Sequence, residues 1–301
     1  MDWVGTALLS AAIYGVVNII DSHLLTRRMP GFRALILPIG IIHFIYSGVA
    51  LSLFPLPDGT DIWLIAAALA SSLLRTAAVS TMLYMMKKVE VAQVVPIVYT
   101  YPIFVAILAM PLLGESLYYL EWLAIFVVVA GAVVVSFRRG QSGSITWRAR
   151  PLLMLLGCSL LLALADITSK YVLGFLSFWN MFWLGGFCMS TVFILVSMRP
   201  QILRQLGNMQ RKKSTIAILA LNEMLAPTAM LLMYLAIERG PVSLVSTVVG
   251  SSRPVFVFIL ALVVSRILPR FIEWHADRRL LITRFVAVAM IAAGILIIQL
   301  G

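Results

Sequence analysis

The chain has 301 residues, of which 62% are hydrophobic and 12% are charged, with a mean hydropathy of +1.03 and a formal net charge of +11. So little polar surface excludes a soluble globular domain and leaves a polytopic membrane protein. Cys158 and Cys188 lie in separate apolar runs without a CxxC or Cys/His pattern, so we interpret them as packing residues and not as a metal or redox site.

Ten apolar runs are long enough to cross about 30 Å of hydrocarbon as helices. They are predicted at 3–25, 32–54, 62–86, 91–112, 118–137, 151–173, 178–198, 214–237, 242–265 and 282–300, and we call them spans 1 to 10. An all-α fold is expected because every backbone polar group inside the lipid must find a partner.

The basic residues predict the orientation of these spans. When the ends of the spans are assigned alternately to two faces, every loop Lys and Arg except Arg239 falls on the same face. The positive-inside rule makes that face cytoplasmic, which places both termini outside the cell membrane (the inner membrane of a bacterium). Topology therefore explains the net charge, and nucleic-acid binding is not expected because the basic residues are spread over short loops.

The chain also contains an internal repeat. The segment YMMKKVEVAQVVPIVYTYPIFVAILA, from Tyr84, aligns with YLAIERGPVSLVSTVVGSSRPVFVFILA, from Tyr234, and AGAVVV in span 5 matches AGILII in span 10. We predict two five-span units, residues 1–140 and 141–301. An odd number of spans per unit inserts the second unit upside down, and inverted repeats around a midplane site are typical of secondary transporters.

Ten spans in two inverted units, together with PLLGESL at 111–117 and the small-residue AGAVVV segment, resemble the drug/metabolite transporter superfamily, specifically its bacterial EamA type, over essentially the whole chain. The second unit departs from the pattern, because Ser265 and Arg266 stand where the first has Gly114 and Glu115. The resemblance implies a central cavity lined largely by spans 1, 3, 4, 6, 8 and 9, and transport by alternating access.

Charged residues inside the spans mark a candidate site, because a charge at the centre of a membrane helix costs about 2.5–3.5 kcal/mol. Arg75 in span 3 and Glu223 in span 8 take nearly equivalent positions in the two units. They are interpreted either as a pair that joins the spans or as cavity residues that bind substrate. Asp166 in span 6 can pair with Lys170 one turn away, and Asn18 has the equivalent place in span 1. Glu223 and Asp166 are the candidates for carrying a coupling proton.

Other titratable residues are interpreted without a role in transport. Asp21 and His23 are expected on a solvated face at the end of span 1, and Glu115 is expected in an external loop. His43 in span 2 is read as a core histidine, with proton carriage as the alternative.

Spans 4 and 9 contain helix-breaking residues at corresponding positions. The predicted breaks are Pro96 and Pro102, around Tyr99 and Tyr101, and Gly250 and Pro254, around Ser251 and Arg253. Proline also occurs as an ordinary kink in membrane helices, but matching interruptions in two inverted halves indicate a binding site. We therefore expect these residues to line or gate the cavity.

We predict a secondary transporter, and not an enzyme, that exports a small polar metabolite across the lipid bilayer as a monomer or homodimer. Arg75, Arg253 and Lys170 outnumber Asp166 and Glu223, which favours a substrate with a carboxylate, such as an amino acid or an organic anion. No cofactor and no metal are expected, because no phosphate-binding Gly-rich loop or metal-ligand cluster is present in the sequence. The alternatives are a membrane-embedded enzyme acting on lipid head groups and an accessory membrane subunit.

Overall fold

The computed structural model describes residues 2–86, 94, 97–136, 149–207, 212–267 and 278–300. Within these ranges the helices are α1 (Trp3–His23), α2 (Phe32–Leu53), α3 (Ile62–Met86), α4 (Tyr101–Leu113), α5 (Tyr119–Ser136), α6 (Ala149–Leu173), α7 (Phe178–Ser197), α8 (Pro200–Gly207), α9 (Lys212–Arg239), α10 (Val242–Ile267) and α11 (Arg278–Leu300). A π-helical turn, Leu24–Arg28, extends α1. Helices α1 to α7 correspond to spans 1 to 7, and α9 to α11 correspond to spans 8 to 10.

The predicted all-α polytopic fold is confirmed. Seven of the described helices are long and apolar enough to cross a membrane. Shorter apolar segments lie in α4, α5 and α11, at Tyr101–Leu113, Tyr119–Val134 and Phe285–Gln299. The short helix α8 was not predicted. The division into units 1–140 and 141–301 stays a prediction, because its boundary lies outside the described residues.

Local signals set several helix ends. The Asp2 side chain accepts a hydrogen bond from the backbone N–H of Gly5 (2.9 Å) and caps α1. Gly114 ends α4 in the left-handed conformation, with φ +68°, which an L residue rarely adopts. We call the side of the bundle where α1 begins and α4 ends the Glu115 end, and the opposite side the Arg28 end.

The outer surface is apolar, as lipid contact requires. Large side chains such as Leu53 and Leu195 are exposed along the helices. Exposed aromatic residues cluster at the Glu115 end. Trp63 lies in the first turn of α3, Tyr118 directly precedes α5, and Tyr119 is the first residue of α5. Aromatic rings are typical of the boundary between hydrocarbon and head groups.

The most extensive helix contacts join a helix from the first five spans to one from the last five. These pairs are α2 with α7, α5 with α11, α3 with α6, and α1 with α9 and α10. Buried serines tie the pairs together: Ser71 of α3 donates to the carbonyl of Ala165 (2.9 Å), and Ser10 of α1 donates to that of Ala229 (2.8 Å).

Helices α5 and α11 approach each other through two glycines in a reciprocal arrangement. A Cβ on Gly131 would lie 2.9 Å from the carbonyl oxygen of Ala287, and a Cβ on Gly294 would lie 3.2 Å from that of Ala124. Each glycine thus packs on the backbone of the other helix. These glycines come from the matching AGAVVV and AGILII segments, whose small residues permit the close contact.

We expect Gly131→Ala to lower the thermal stability of the purified protein by several degrees. The new methyl group meets a backbone carbonyl and the Ile291 side chain at 2.8 Å, so α5 and α11 must separate. The measurement is a thermal unfolding curve in detergent. Gly157→Ala in α6 is the matched control, since a Cβ there meets nothing within 4 Å, and its curve should be unchanged or shifted upwards. Equal curves for Gly131→Ala and wild type would contradict this packing.

Candidate functional site

The strongest polar contact inside the bundle joins three helices. The Arg75 guanidinium of α3 donates from Nη2 to Asp166 Oδ1 of α6 at 2.7 Å. Ser246 of α10 donates to the other carboxylate oxygen at 2.6 Å. Arg75 also lies over the Tyr234 ring of α9, with Cζ 5.8 Å from the ring centroid. Asp166 is fully buried, so this charge-assisted pair is shielded from water.

Of the two interpretations of Arg75 and Glu223, the one in which they pair and join the spans is wrong for this structure. Inverted repeats place equivalent residues at equal distances from the midplane but on opposite sides, so equivalence in sequence is not equality of depth. Glu223 precedes Tyr234, the neighbour of Arg75, by eleven residues of α9, which is about 16 Å along a helix. Asp166, and not Glu223, neutralises Arg75.

Arg253 of α10 is a second guanidinium inside the bundle, half-buried and without a carboxylate partner among the described residues. Its Cζ lies 3.9 Å from the centroid of the Tyr14 ring, and Nη2 lies 3.8 Å from the sulfur of Met233. Its Nε is buried without a hydrogen-bond acceptor. Tyr14 and Tyr101 both interact electrostatically with Arg253, Arg75 and Asp166, so the two arginines belong to one site.

Further buried donors in the same helices lack acceptors. The hydroxyl groups of Ser251 and Ser252 have no partner within the described part of the chain. A site with unpaired donors and one positive charge in excess is suited to bind an anion.

The predicted interruption of span 9 is wrong. Helix α10 is continuous across Gly250 and Pro254. Gly250 has a different role: a Cβ there would lie 2.6 Å from the ring of Tyr101, whose hydroxyl donates to the carbonyl of Ser246 at 3.3 Å. The glycine therefore admits the tyrosine against the backbone of α10.

Span 4 differs, because Tyr99 and Thr100 form a turn before α4 begins at Tyr101 with Pro102 in its first turn. Pro96 lies outside the described residues. Asn18 is half-buried on α1. It stands four residues after Tyr14 and three before Asp21, which places the three on one face of the helix.

Two charged residues bind the connection between α9 and α10 at the Glu115 end of the bundle, and these contacts were not predicted. Lys170 does not pair with Asp166. Its ammonium donates to the carbonyls of Ile237 and Gly240, both at 2.8 Å, at the end of α9. Glu115 accepts from the backbone N–H of Val242 at 2.6 Å and from the Ser243 side chain, at the start of α10. Each charge complements the helix dipole that it meets.

A separate polar cluster lies nearer the Arg28 end. Asn222 of α9 donates from Nδ2 to Asp21 of α1 at 2.8 Å and, at 3.3 Å, to Glu223. The Nε2 of His43 from α2 lies 3.1 Å from Oε2 of Glu223. Asp21 is therefore half-buried and hydrogen-bonded within this cluster, and does not lie on a fully solvated face as expected. The i, i+7 spacing of Tyr14 and Asp21 was the sequence signal that could have placed it there.

We expect the free energy coupling between Arg75 and Asp166 to be large and that between Arg75 and Glu223 to be near zero. Arg75→Met or Asp166→Leu alone leaves a buried charge without its partner, which destabilises by about 3–5 kcal/mol. The double variant removes both charges and should recover much of that loss. Denaturation in detergent of the singles and doubles measures both cycles. Additive effects for Arg75 and Asp166 would contradict the pairing.

Comparisons with known proteins agree with this architecture. Residues 1–137 match the model of the EamA-like transporter family. A solved structure described as "Crystal structure of protein" superposes with a TM-score of 0.70 over 99% of this chain and 95% of its own, at 18% identity, which supports the fold alone. A comparison with curated proteins gave no match. Residues 1–137, the predicted first unit, are thus similar to the EamA-like transporter family, which is consistent with a membrane transporter of the drug/metabolite type.

Proposed function

We propose that this protein is a secondary transporter that exports a small polar metabolite bearing a carboxylate, an amino acid or a related organic anion. The observation that carries the proposal is Arg253. Its guanidinium is held within the bundle against an aromatic ring and a thioether, without a counter-charge among the described residues. Arginine binds carboxylates through paired N–H donors, so a substrate carboxylate is the natural partner.

The surrounding residues support a compact polar ligand. Ser251 and Ser252 precede Arg253 on α10 and offer buried hydroxyl groups, while Tyr14, Tyr99 and Tyr101 supply aromatic walls. Helices α1, α3, α4, α6, α9 and α10 contribute the side chains, and they come from both halves of the chain. Rocking of the two halves would expose the site first on one side and then on the other. We propose that an inward flow of protons drives this export.

The protein is proposed to lie in the cell membrane with both termini outside and to act as a monomer or homodimer. In the proposed alternating-access cycle, the contacts of Lys170 and Glu115 would keep the Glu115 end closed. Substrate release to the exterior requires these contacts to separate.

We expect Arg253→Gln to weaken binding of the correct carboxylate by about 10–100-fold, because hydrogen bonds to a charged group contribute about 1.5–3 kcal/mol. The assay screens carboxylate metabolites and their amides for ligand-induced thermal stabilisation, which follows the dissociation constant. Carboxylates should stabilise wild type more than amides do. Arg253→Lys should keep part of the effect, since the charge remains without the planar fork.

Arg204→Gln is the matched control. Arg204 is exposed on α8, so this variant should bind carboxylates as wild type does. A ligand found in this way should then move across the membrane of proteoliposomes. Stabilisation by amides equal to that by carboxylates would contradict the role of Arg253. Binding without movement would indicate an accessory subunit, and chemical change of a lipid would indicate an enzyme.

The orientation has its own test. A cysteine replacing Asp58, in the exposed loop between α2 and α3, should react with an impermeant thiol reagent in intact cells. A cysteine replacing Gly207, at the end of α8, should be protected until the cells are opened, since it lies on the basic side of the membrane. Cys188→Ser provides the background because Cys188 is partly accessible. The reverse labelling pattern would place both termini inside.

A further inference from the structure

Two carboxylates of the Arg28-end cluster share one amide nitrogen. Asn222 Nδ2 lies 2.8 Å from Asp21 Oδ1 and 3.3 Å from Glu223 Oε1, so the two oxygens are within about 6 Å of each other. The two acids come from α1 and α9, which belong to different halves of the chain. Ionised carboxylates held this close inside a membrane protein repel each other, and a proton on one of them removes the repulsion.

The same cluster lacks a hydrogen-bond donor. Asn222 Oδ1 is buried without a partner among the described residues, and Asn222 is only 1% exposed. Glu223 Oε2 has no aligned donor either, although His43 Nε2 is 3.1 Å away, and the Glu223 side chain is 1% exposed. A carboxylic acid O–H would supply the missing donor.

The charges that the described residues place around this cluster do not neutralise both acids. The charge with which Asp21 interacts is that of Glu223. From the π-helical turn, Arg28 donates to His23 at 3.2 Å, and from α7 Cys188 faces the carbonyl of Leu69. On the neighbouring helix ends, Arg27, Arg33, Lys212 and Lys213 are exposed. On α10, Arg253 contacts Tyr14 two turns away along α1. Within the described ranges, His43 is thus the basic side chain that contacts the acids.

We propose that Asp21 and Glu223 share one exchangeable proton, held with Asn222 and His43, and that this is the coupling-proton site of the transporter. The coupling role of this proton rests on the proposed transport function, whereas the proton site itself does not. A proton suits the cluster better than sodium. An amide NH2 and an imidazole nitrogen already face the carboxylates, and a hard cation takes oxygen ligands. Asp166 is excluded from this role here because Arg75 already neutralises it.

The position of the site connects it to the substrate site. Tyr14, Asn18 and Asp21 lie on one face of α1, with the ring under Arg253 at one end of this face and the shared proton at the other. The proton links α1 to α9, and its loss to water at the Arg28 end would leave two like charges across the interface between the halves. Proton release thereby favours separation of α1 and α9 at that end.

The site can be tested without any substrate. Dicyclohexylcarbodiimide reacts with protonated carboxyl groups in apolar surroundings, and mass spectrometry of the labelled full-length protein in detergent locates the label. We expect wild type to be labelled on Asp21 or Glu223 at low pH and several-fold less as pH rises. In Asp21→Asn the label on Glu223 should fall several-fold, because the remaining carboxylate no longer needs a proton to avoid a like charge.

Asp58→Asn, in an exposed loop, should label as wild type. Thermal unfolding checks that each variant is folded, and the wild-type pH series needs no variant. The shared-proton proposal would be overturned if neither acid is labelled, or if Asp21→Asn leaves the labelling of Glu223 unchanged. Protection from labelling by sodium at constant pH would assign the site to sodium instead.

In proteoliposomes Glu223→Gln should retain substrate exchange and lose accumulation driven by a pH gradient. Normal accumulation in this variant would overturn the coupling role and leave the proposed transport activity intact.

Discussion

The cost of holding charge away from water governs the interior of this protein. Moving a guanidinium or a carboxylate into a low-dielectric environment costs several kcal/mol, and that cost is offset only by a well-placed counter-charge with further hydrogen bonds. Arg75, Asp166 and Ser246 meet this requirement across α3, α6 and α10. Because the contact needs all three helices at once, it fixes how the two halves of the chain face each other in this conformation.

The remaining charged residues, outside the Arg75–Asp166 pair, differ in their unpaired hydrogen-bonding groups. Arg253 is left with donors to spare, whereas Asp21, Asn222 and Glu223 together have acceptors to spare. The interior is therefore positive in one region and negative in another. The two regions are about 10 Å apart along α1, which is the length of the seven-residue step from Tyr14 to Asp21. Such a separation would keep the proposed anionic substrate and the proposed proton from neutralising each other inside the protein.

Hydropathy, and the symmetry of the sequence, predicted the helices well, because the length of an apolar run and the need to pair backbone groups in lipid depend on local sequence. Pairing of side chains was predicted poorly. Arg75 and Glu223 looked equivalent along the chain, but depth in an inverted repeat also depends on the side of the midplane. Gly250 looked like a helix break, but its role is to leave room for the Tyr101 ring against α10, and that contact is seen only in the folded structure. The capping roles of Lys170 and Glu115 depend on a loop more than sixty residues away, which no local pattern encodes.

The contacts of Lys170 and Glu115 with the α9–α10 connection bear on how fast the Glu115 end can open. Both side chains bind ends of helices at the membrane boundary, where water is at hand to replace each bond as it breaks. An exchange of this kind changes the free energy by only about 0.5–1.5 kcal/mol per neutral hydrogen bond and somewhat more for a charged one. Separation of Arg75 from Asp166 in the interior has no such replacement. In the proposed transport cycle, the activation barrier for opening this end would therefore be set by hydration of the Lys170 and Glu115 contacts, and it should respond to salt and to the composition of the lipid surface more than to events in the buried core.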